Sequence, residues 1–151
     1  MIGNLLLESL DRWRPEGRAT LALDDTASGW RAVLDAEAVD GIGCRLWSMR
    51  LERVVPLPIA VPLRTQADAL AKRATGLLEP LRVVEIDEGR SLAQLRSDAP
   101  SGAERRYYEV LRHECGTTNV QRYEAGNGPR RTVTFTLTHE ALAKLANDAC
   151  V

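Results

Sequence analysis

The sequence contains few of the residues from which disulfide frameworks, metal sites and thiol enzymes are built. Its 151 residues include three cysteines and two histidines. The cysteines are odd in number and form no short ligand pair such as C-x-x-C, which argues against both a disulfide scaffold and a zinc site. Unpaired thiols are typical of a reducing compartment. We therefore expect no metal and no cofactor.

A long hydrophobic run is also missing. No stretch reaches the roughly 18 apolar residues that a membrane span requires. The apolar start of the chain lacks a basic region before it, and Glu8 and Asp11 interrupt it, so it does not resemble a secretory signal peptide. The sequence therefore predicts a cytoplasmic protein that makes no membrane contact.

Neither sign of charge is in excess. Twenty Lys and Arg residues face 21 Asp and Glu residues, for a net charge of -1. This balance excludes an obviously basic nucleic-acid binder, because phosphate binding requires a cationic excess or a clustered patch. Lys72 and Lys144 are the only lysines, and the even spread of arginine along the chain is more typical of a GC-rich genome than of a selected surface.

What the sequence does contain is enough apolar residues, 44% of the chain, for one domain spanning 1–151. Apolar residues at helical spacing predict a first helix over 3–13. Pro15 and Gly17 end it. The period then changes to two, which predicts a three-stranded antiparallel meander over 18–54.

Residues 54–63 form a proline-rich segment that is almost wholly apolar. Its three prolines exclude a helix or a central strand, because each proline removes a backbone donor. Two interpretations remain open: a crossover buried against the sheet, or an extended apolar surface offered to a second subunit or a partner. The second interpretation makes Leu57, Ile59 and Val61 the partner-binding residues.

The second half repeats the helix-then-strands order. A helix capped by Thr65 carries an apolar stripe as far as Leu78 and ends at Pro80, and a strand follows from Leu81. Residues 91–97 fit a helix or a strand equally well, and 97–102 read as a loop.

Later segments predict strands over 105–115 and around 118–125, followed by a turn at 126–129. The cleanest alternation lies over 132–138, which predicts one continuous strand with a buried and a solvated face. Thr138 is positioned to cap a final helix.

These elements predict an α+β fold in the order α-βββ-α-βββ(β)-α. Two three-stranded meanders form an antiparallel sheet, and about three helices cover one face of it. This order of elements is similar to that of small secretion-chaperone-like domains. That resemblance implies a domain that binds partner proteins and dimerises.

The strongest candidate for chemistry is His113 with Cys115, two residues apart on the 105–115 strand and so on one face of it. A catalytic thiol needs a base within hydrogen-bond reach, whereas such neighbours lie roughly 6–7 Å apart along a strand. A packing role therefore fits this pair better. His139 follows the Thr138 cap and is expected at the surface.

The arginine pairs 105–106 and 130–131 could form an anion patch, but solvated strand ends explain them as well. We therefore expect a non-enzymatic protein-interaction or chaperone-like adaptor module that binds a protein partner or forms a homodimer. The alternative is a small-molecule-binding domain or small hydrolase with a pocket between sheet and helices. His113 and Cys115 would be the first residues to test there.

Overall fold

A computed structural model describes residues 1–56, 59–98 and 105–151 of the chain, so Leu57 and loop residues 99–102 lie outside the described residues. The described residues form three helices, which are α1 (Ile2–Leu10), α2 (Leu63–Arg73) and α3 (His139–Ala149). The strands, in chain order, are β1 (Ala19–Asp25), β2 (Trp30–Val39), β3 (Gly43–Arg53), β4 (Leu81–Asp87), β5 (Leu92–Ser97), β6 (Arg105–His113), β7 (Thr118–Gly126), β8 (Gly128–Val133) and β9 (Phe135–Thr138).

All nine strands belong to one antiparallel sheet, which confirms the predicted α+β fold and its order of elements. The main path of the sheet runs β1-β2-β3-β7-β6-β5-β4. The two predicted meanders are joined where residues 49–51 of β3 pair with residues 118–120 of β7. Residues 91–97, whose sequence fits a helix or a strand equally well, contain strand β5. The edges of this path are β1 and β4.

The continuous strand expected over 132–138 is instead two strands that meet at Thr134. β8 pairs with β7, whereas β9 pairs with residues 43–46 of β3. β3 and β7 pair with each other only near their other ends, so the chain occupies the fork between them and changes partner at Thr134. The alternation of apolar residues continues through this fork, which is why the sequence pattern did not reveal the break.

The helices cover one face of the sheet. α1 lies over β1 and β2, α3 over β3 and β9, and α2 over β4 to β6. α1 and α3 approach closely at Gly3, where a Cβ would come within 2.7 Å of the Ala143 carbonyl oxygen. The largest fully buried side chains include Leu6, Leu34, Leu46, Met49, Leu51, Leu70, Leu95, Leu142 and Leu145.

The predicted boundaries of α2 were wrong at both ends. The helix begins at Leu63, with Pro62 in the N-cap position, so Thr65 does not cap it. It ends at Arg73, and the chain then turns so that Leu77 enters the core while Leu78 is 93% exposed at a positive φ of 62°. Proline at this boundary is favourable because its fixed φ suits helix entry and no backbone donor is lost from the helix.

The start of α3 agrees with the prediction in one respect and differs in another. Thr138 caps the helix, its Oγ1 accepting a hydrogen bond from the Ala141 N–H at 3.1 Å. His139 is buried, however, with 4% of its surface exposed, which corrects the expected surface position. Its backbone N–H donates to the Ile42 carbonyl at 2.9 Å, and this bond draws the helix start against the β2–β3 turn.

In the described ranges of the chain, no helix is long and apolar enough to cross a membrane.

Candidate functional site

The described side chains of the proline-rich segment, residues 54–63, face solvent over most of its length. Val54 is 45% exposed, Val55 52%, Ile59 76% and Val61 36%. At these positions the buried-crossover interpretation is therefore wrong. The segment returns to the core at Leu63, the first residue of α2, which is 7% exposed.

The beginning of the segment is held against the β1–β2 turn. The Val54 N–H donates to the Gly29 carbonyl at 2.8 Å, and the Arg53 Nε–H donates to the Val55 carbonyl at 2.9 Å. Gly29 has a φ of +77°, and a Cβ there would lie 3.2 Å from the Val55 Cβ. Glycine is therefore required by both the backbone angle and the close approach. The Arg53 guanidinium stacks over the Trp30 ring at 5.0 Å.

The end of the segment is held by a buried glutamine from α2. The Gln66 Nε2 donates to the Val61 carbonyl at 2.9 Å and to the Glu114 carbonyl at 3.0 Å. Its Oε1 accepts from the Arg112 Nε–H at 3.0 Å. All polar atoms of this amide are thus engaged, as burial of a polar side chain requires. The segment is fixed to the β6–β7 turn through this one side chain.

Arg112 extends the same network into the core. Only 2% of its surface is exposed, and its Nη1 donates to the Thr118 Oγ1 at 2.9 Å and to the Ala149 carbonyl at 2.6 Å. Burial lowers the pKa of Arg112 to about 10. The carbonyls at the C-terminal end of α3 carry partial negative charge and stabilise the cation there. β6, α2 and α3 are therefore joined beneath the proline-rich segment.

Among the described residues, the side-chain hydrogen-bond partner of Cys115 is Thr117 and not a histidine. β6 ends at His113, and Cys115 lies in the turn that follows, so the two side chains do not share a strand face as expected. The pKa of Cys115 is lowered chiefly by a hydrogen bond from the Thr117 backbone N–H, with Arg112 making a smaller contribution. The thiol contacts the Thr117 Oγ1 at 3.6 Å. Its acidity is thus explained by local turn geometry.

The other two thiols are less acidic than usual. Burial raises the pKa of Cys44 to about 11 and that of Cys150 to about 12, so both remain protonated near neutral pH. Within residues 1–56, 59–98 and 105–151, no three His, Cys, Asp or Glu side chains are grouped so that they could hold a metal ion.

The helix-free face of the sheet carries a cluster of arginine and tyrosine that sequence reasoning missed. At its centre is Glu109, which is 3% exposed and accepts two hydrogen bonds from Arg130 at 2.9 and 3.1 Å. Arg130 stacks on the Tyr123 ring at 3.8 Å, and Arg96 stacks on Tyr107 at 4.4 Å. The signals in the sequence were a carboxylate within the otherwise apolar 107–111 run and the arginine pair 130–131, whose Arg130 bonds to that carboxylate. The long arginine side chains shield this face where no helix does.

The basic pairs singled out in the sequence do approach one another, and Arg106, Arg130 and Arg131 form ion pairs with acidic side chains. Arg106 and Arg131 both bond to Glu124, at 2.8 and 2.7 Å, while Arg130 bonds to Glu109. These ion pairs account for Arg106, Arg130 and Arg131 without an anion ligand.

A cavity of about 270 Å³ lies where the end of α2 meets the start of β4, with Ala71 and Leu81 in its wall. A larger cavity of about 440 Å³ lies beside the β2–β3 turn and β9. Val39, Ile42, Cys44 and Leu137 contribute to its mainly apolar wall. The Asp40 carboxylate at its rim accepts from the backbone N–H groups of Ile42 and Gly43 at 2.7 and 2.8 Å, and these bonds lower its pKa. The Asp40 carboxylate thus stabilises the β2–β3 turn.

Comparisons with protein-family models, with curated proteins and with solved structures found no match.

Proposed function

We propose that this chain is a non-enzymatic protein-binding module of the adaptor or chaperone-like kind, acting in the cytoplasm. Its contact surface is the proline-rich segment, and the proposed partner-binding residues are Leu57, Ile59 and Val61. The observation that supports this proposal is the exposure of branched aliphatic side chains, most of all Ile59 at 76%, on a segment held at both ends.

Exposed aliphatic side chains are common singly, but a contiguous set on a soluble domain marks a contact surface. The hydrogen bonds at Gly29 and Gln66 restrict the segment before any partner binds. Pre-ordering of this kind reduces the entropy lost on association. A restricted apolar segment is therefore better suited to binding than a flexible linker of equal composition.

The chemistry of the segment indicates the kind of partner. An extended chain with several prolines has few backbone donors, and it docks by placing proline rings and aliphatic side chains into an apolar groove. Pro62 has the extended angles φ −54° and ψ 139° that such recognition uses. The partner is thus expected to be a folded protein with an apolar groove.

The alternative, a small-molecule-binding domain or small hydrolase, has less support. Catalysis by Cys115 would need a nearby base, and the groups that set its pKa are Thr117 and Arg112. The cavity beside the β2–β3 turn offers mainly apolar and backbone atoms, and Asp40 there is already engaged in the turn.

Two isoleucines with nearly equal exposure provide a matched test. Ile59 is 76% exposed in the proline-rich segment, and Ile42 is 74% exposed in the β2–β3 turn. The tagged wild-type chain, Ile59→Asp and Ile42→Asp are used to capture proteins from lysate of the source organism, with folding checked by circular dichroism. We expect a stoichiometric partner with the wild type and Ile42→Asp that is lost with Ile59→Asp. Capture that is equal for all three, or absent for the wild type, contradicts the proposal.

A further inference from the structure

β1 is an edge strand that contains no bulge, proline or lysine. Its seven residues pair with β2 in unbroken register from Ala19 to Asp25, and within the described chain β2 is its one strand partner. The opposite edge differs, because β4 has a register shift between Val83 and Glu85. Bulges, prolines and lysines are among the devices that prevent edge-to-edge association, and the β1 sequence ATLALDD has none of them. Its charged residues are Asp24, which bonds to Arg31, and Asp25, which is buried.

The two faces of β1 have distinct chemistry. Leu21 and Leu23 are half-buried against the core on the helix side of the sheet. On the helix-free side, Arg18 immediately before the strand bonds to Asp35 at 2.8 Å, and Asp24 bonds to Arg31 of the neighbouring strand. An incoming strand would therefore meet an apolar row on one face and a basic and an acidic group on the other.

We propose that β1 pairs antiparallel with β1 of a second copy of this chain, in the register that places Leu21 on the twofold axis. Antiparallel neighbours directly opposite each other share a face, so only registers that keep the leucine row together are allowed. Of these, the one centred on Leu21 sets Arg18 opposite Asp24 of the second copy. A register centred on Ala22 or Thr20 instead places no oppositely charged residue across from Arg18 or Asp24.

The Leu21 register also extends the ion pairs already present in each copy. Opposed Cβ atoms in an antiparallel pair lie roughly 4.5–5.5 Å apart, close enough for Arg18 to bond to Asp24 of the second copy. The charges then alternate in a row: Asp35, Arg18, Asp24 of the second copy, Arg31 of the second copy. Twofold symmetry produces the row twice. On the other face Leu21 meets its own copy, and Ala19 meets Leu23. The surface is self-complementary, as a twofold interface must be.

A charge exchange tests this register directly. In a dimer of Arg18→Asp, the new Asp at position 18 faces Asp24 of the second copy, so two acidic groups are opposed. In a dimer of Asp24→Arg, Arg18 faces the new Arg at position 24, so two basic groups are opposed. Each variant alone is expected to raise the dimer dissociation constant at least about tenfold relative to the wild-type dimer. An equimolar mixture should form a heterodimer, because every cross-copy pair is then of opposite sign. Arg82→Asp, which breaks an exposed ion pair with Asp98 on the other edge, is the control and should remain dimeric.

Sedimentation velocity over a range of concentrations gives the association state, with circular dichroism to check folding. Amide hydrogen exchange of β1 in the unaltered chain is a second measurement, and protection of residues 19–25 should increase with concentration. A monomeric wild type, even one that takes up an extended peptide at this edge, overturns the proposal. So do single variants that remain dimeric, a mixture that remains monomeric, or β1 exchange that is independent of concentration.

Discussion

At the scale of single residues, Gln66 and Arg112 determine where the proline-rich segment lies. The Gln66 amide bonds to the Val61 and Glu114 carbonyls and is itself held by the Arg112 guanidinium. A buried polar group left without its partner costs about 1–3 kcal/mol, so neither side chain is replaceable by an apolar one without a compensating change. The position of the exposed segment thus depends on buried groups that make no contact with a partner.

The buried thiol of Cys44 makes stability depend on pH. Its pKa is about 11 against an ordinary value of 9.0, so the unfolded chain loses this proton at lower pH than the folded chain does. The resulting stabilisation is complete below pH 9 and is lost as the pH rises toward 11. Between about pH 8 and about pH 10, the free energy of unfolding of the wild type should fall about 1 kcal/mol more than that of Cys44→Ala.

Urea unfolding at several pH values measures this difference, and effects of the tyrosines and of Cys150 cancel because both proteins contain them. Cys115→Ala is the control with the opposite sign, since the pKa of Cys115 is lowered in the fold. The free energy of unfolding of Cys115→Ala should fall with rising pH at least as steeply as that of the wild type. Parallel pH profiles for the wild type and Cys44→Ala would show that Cys44 ionises equally readily in both states.

At the scale of elements, hydrophobic period and turn residues were sufficient to predict the three helices, the order of the elements and the cap at Thr138. They were insufficient where tertiary contacts determine a strand boundary or the burial of a residue. The break at Thr134 depends on β3 and β7 separating, and the burial of His139 depends on the Ile42 carbonyl; no local pattern reports either. α2 begins at Leu63, directly after a segment whose end is held by the Gln66 side chain. In the candidate site, composition indicated the apolar segment, whereas its exposure and the hydrogen bonds that hold it required the fold.

Two glycines with similar backbone angles test whether the proline-rich segment is held in place. Gly29 has φ +77° and lies against Val55, while Gly17 has φ +83° and open space, with no atom within 4 Å of where a Cβ would lie. Alanine at either site incurs the cost of a left-handed backbone, about 1–2 kcal/mol. Gly29→Ala should lose about 1 kcal/mol more, because Val55 must shift. Chemical denaturation measures the free energy of unfolding of both variants. Equal losses of stability would mean that the proline-rich segment moves away from Gly29 at no cost.

At the scale of the whole molecule, the two proposed contact surfaces involve different residues, although the proline-rich segment begins against the β1–β2 turn at Gly29. The proline-rich segment follows β3, whereas the β1 edge is the far side of the sheet path from β4. The β1 interface proposed above consists of residues 18–24 and does not include Ile59 or Val61, so the dimer would present two partner-binding segments. Loss of dimerisation in Arg18→Asp should therefore leave the contacts of each single segment intact.

The central claim is that the proline-rich segment binds a protein partner. Isothermal titration calorimetry with the purified captured partner tests it most directly, comparing the wild type with Ile59→Asp and Ile42→Asp. We expect Ile59→Asp to weaken binding at least about tenfold, because a charge replaces an aliphatic group buried on association, while Ile42→Asp binds like the wild type. Equal affinity for all three proteins would contradict this claim.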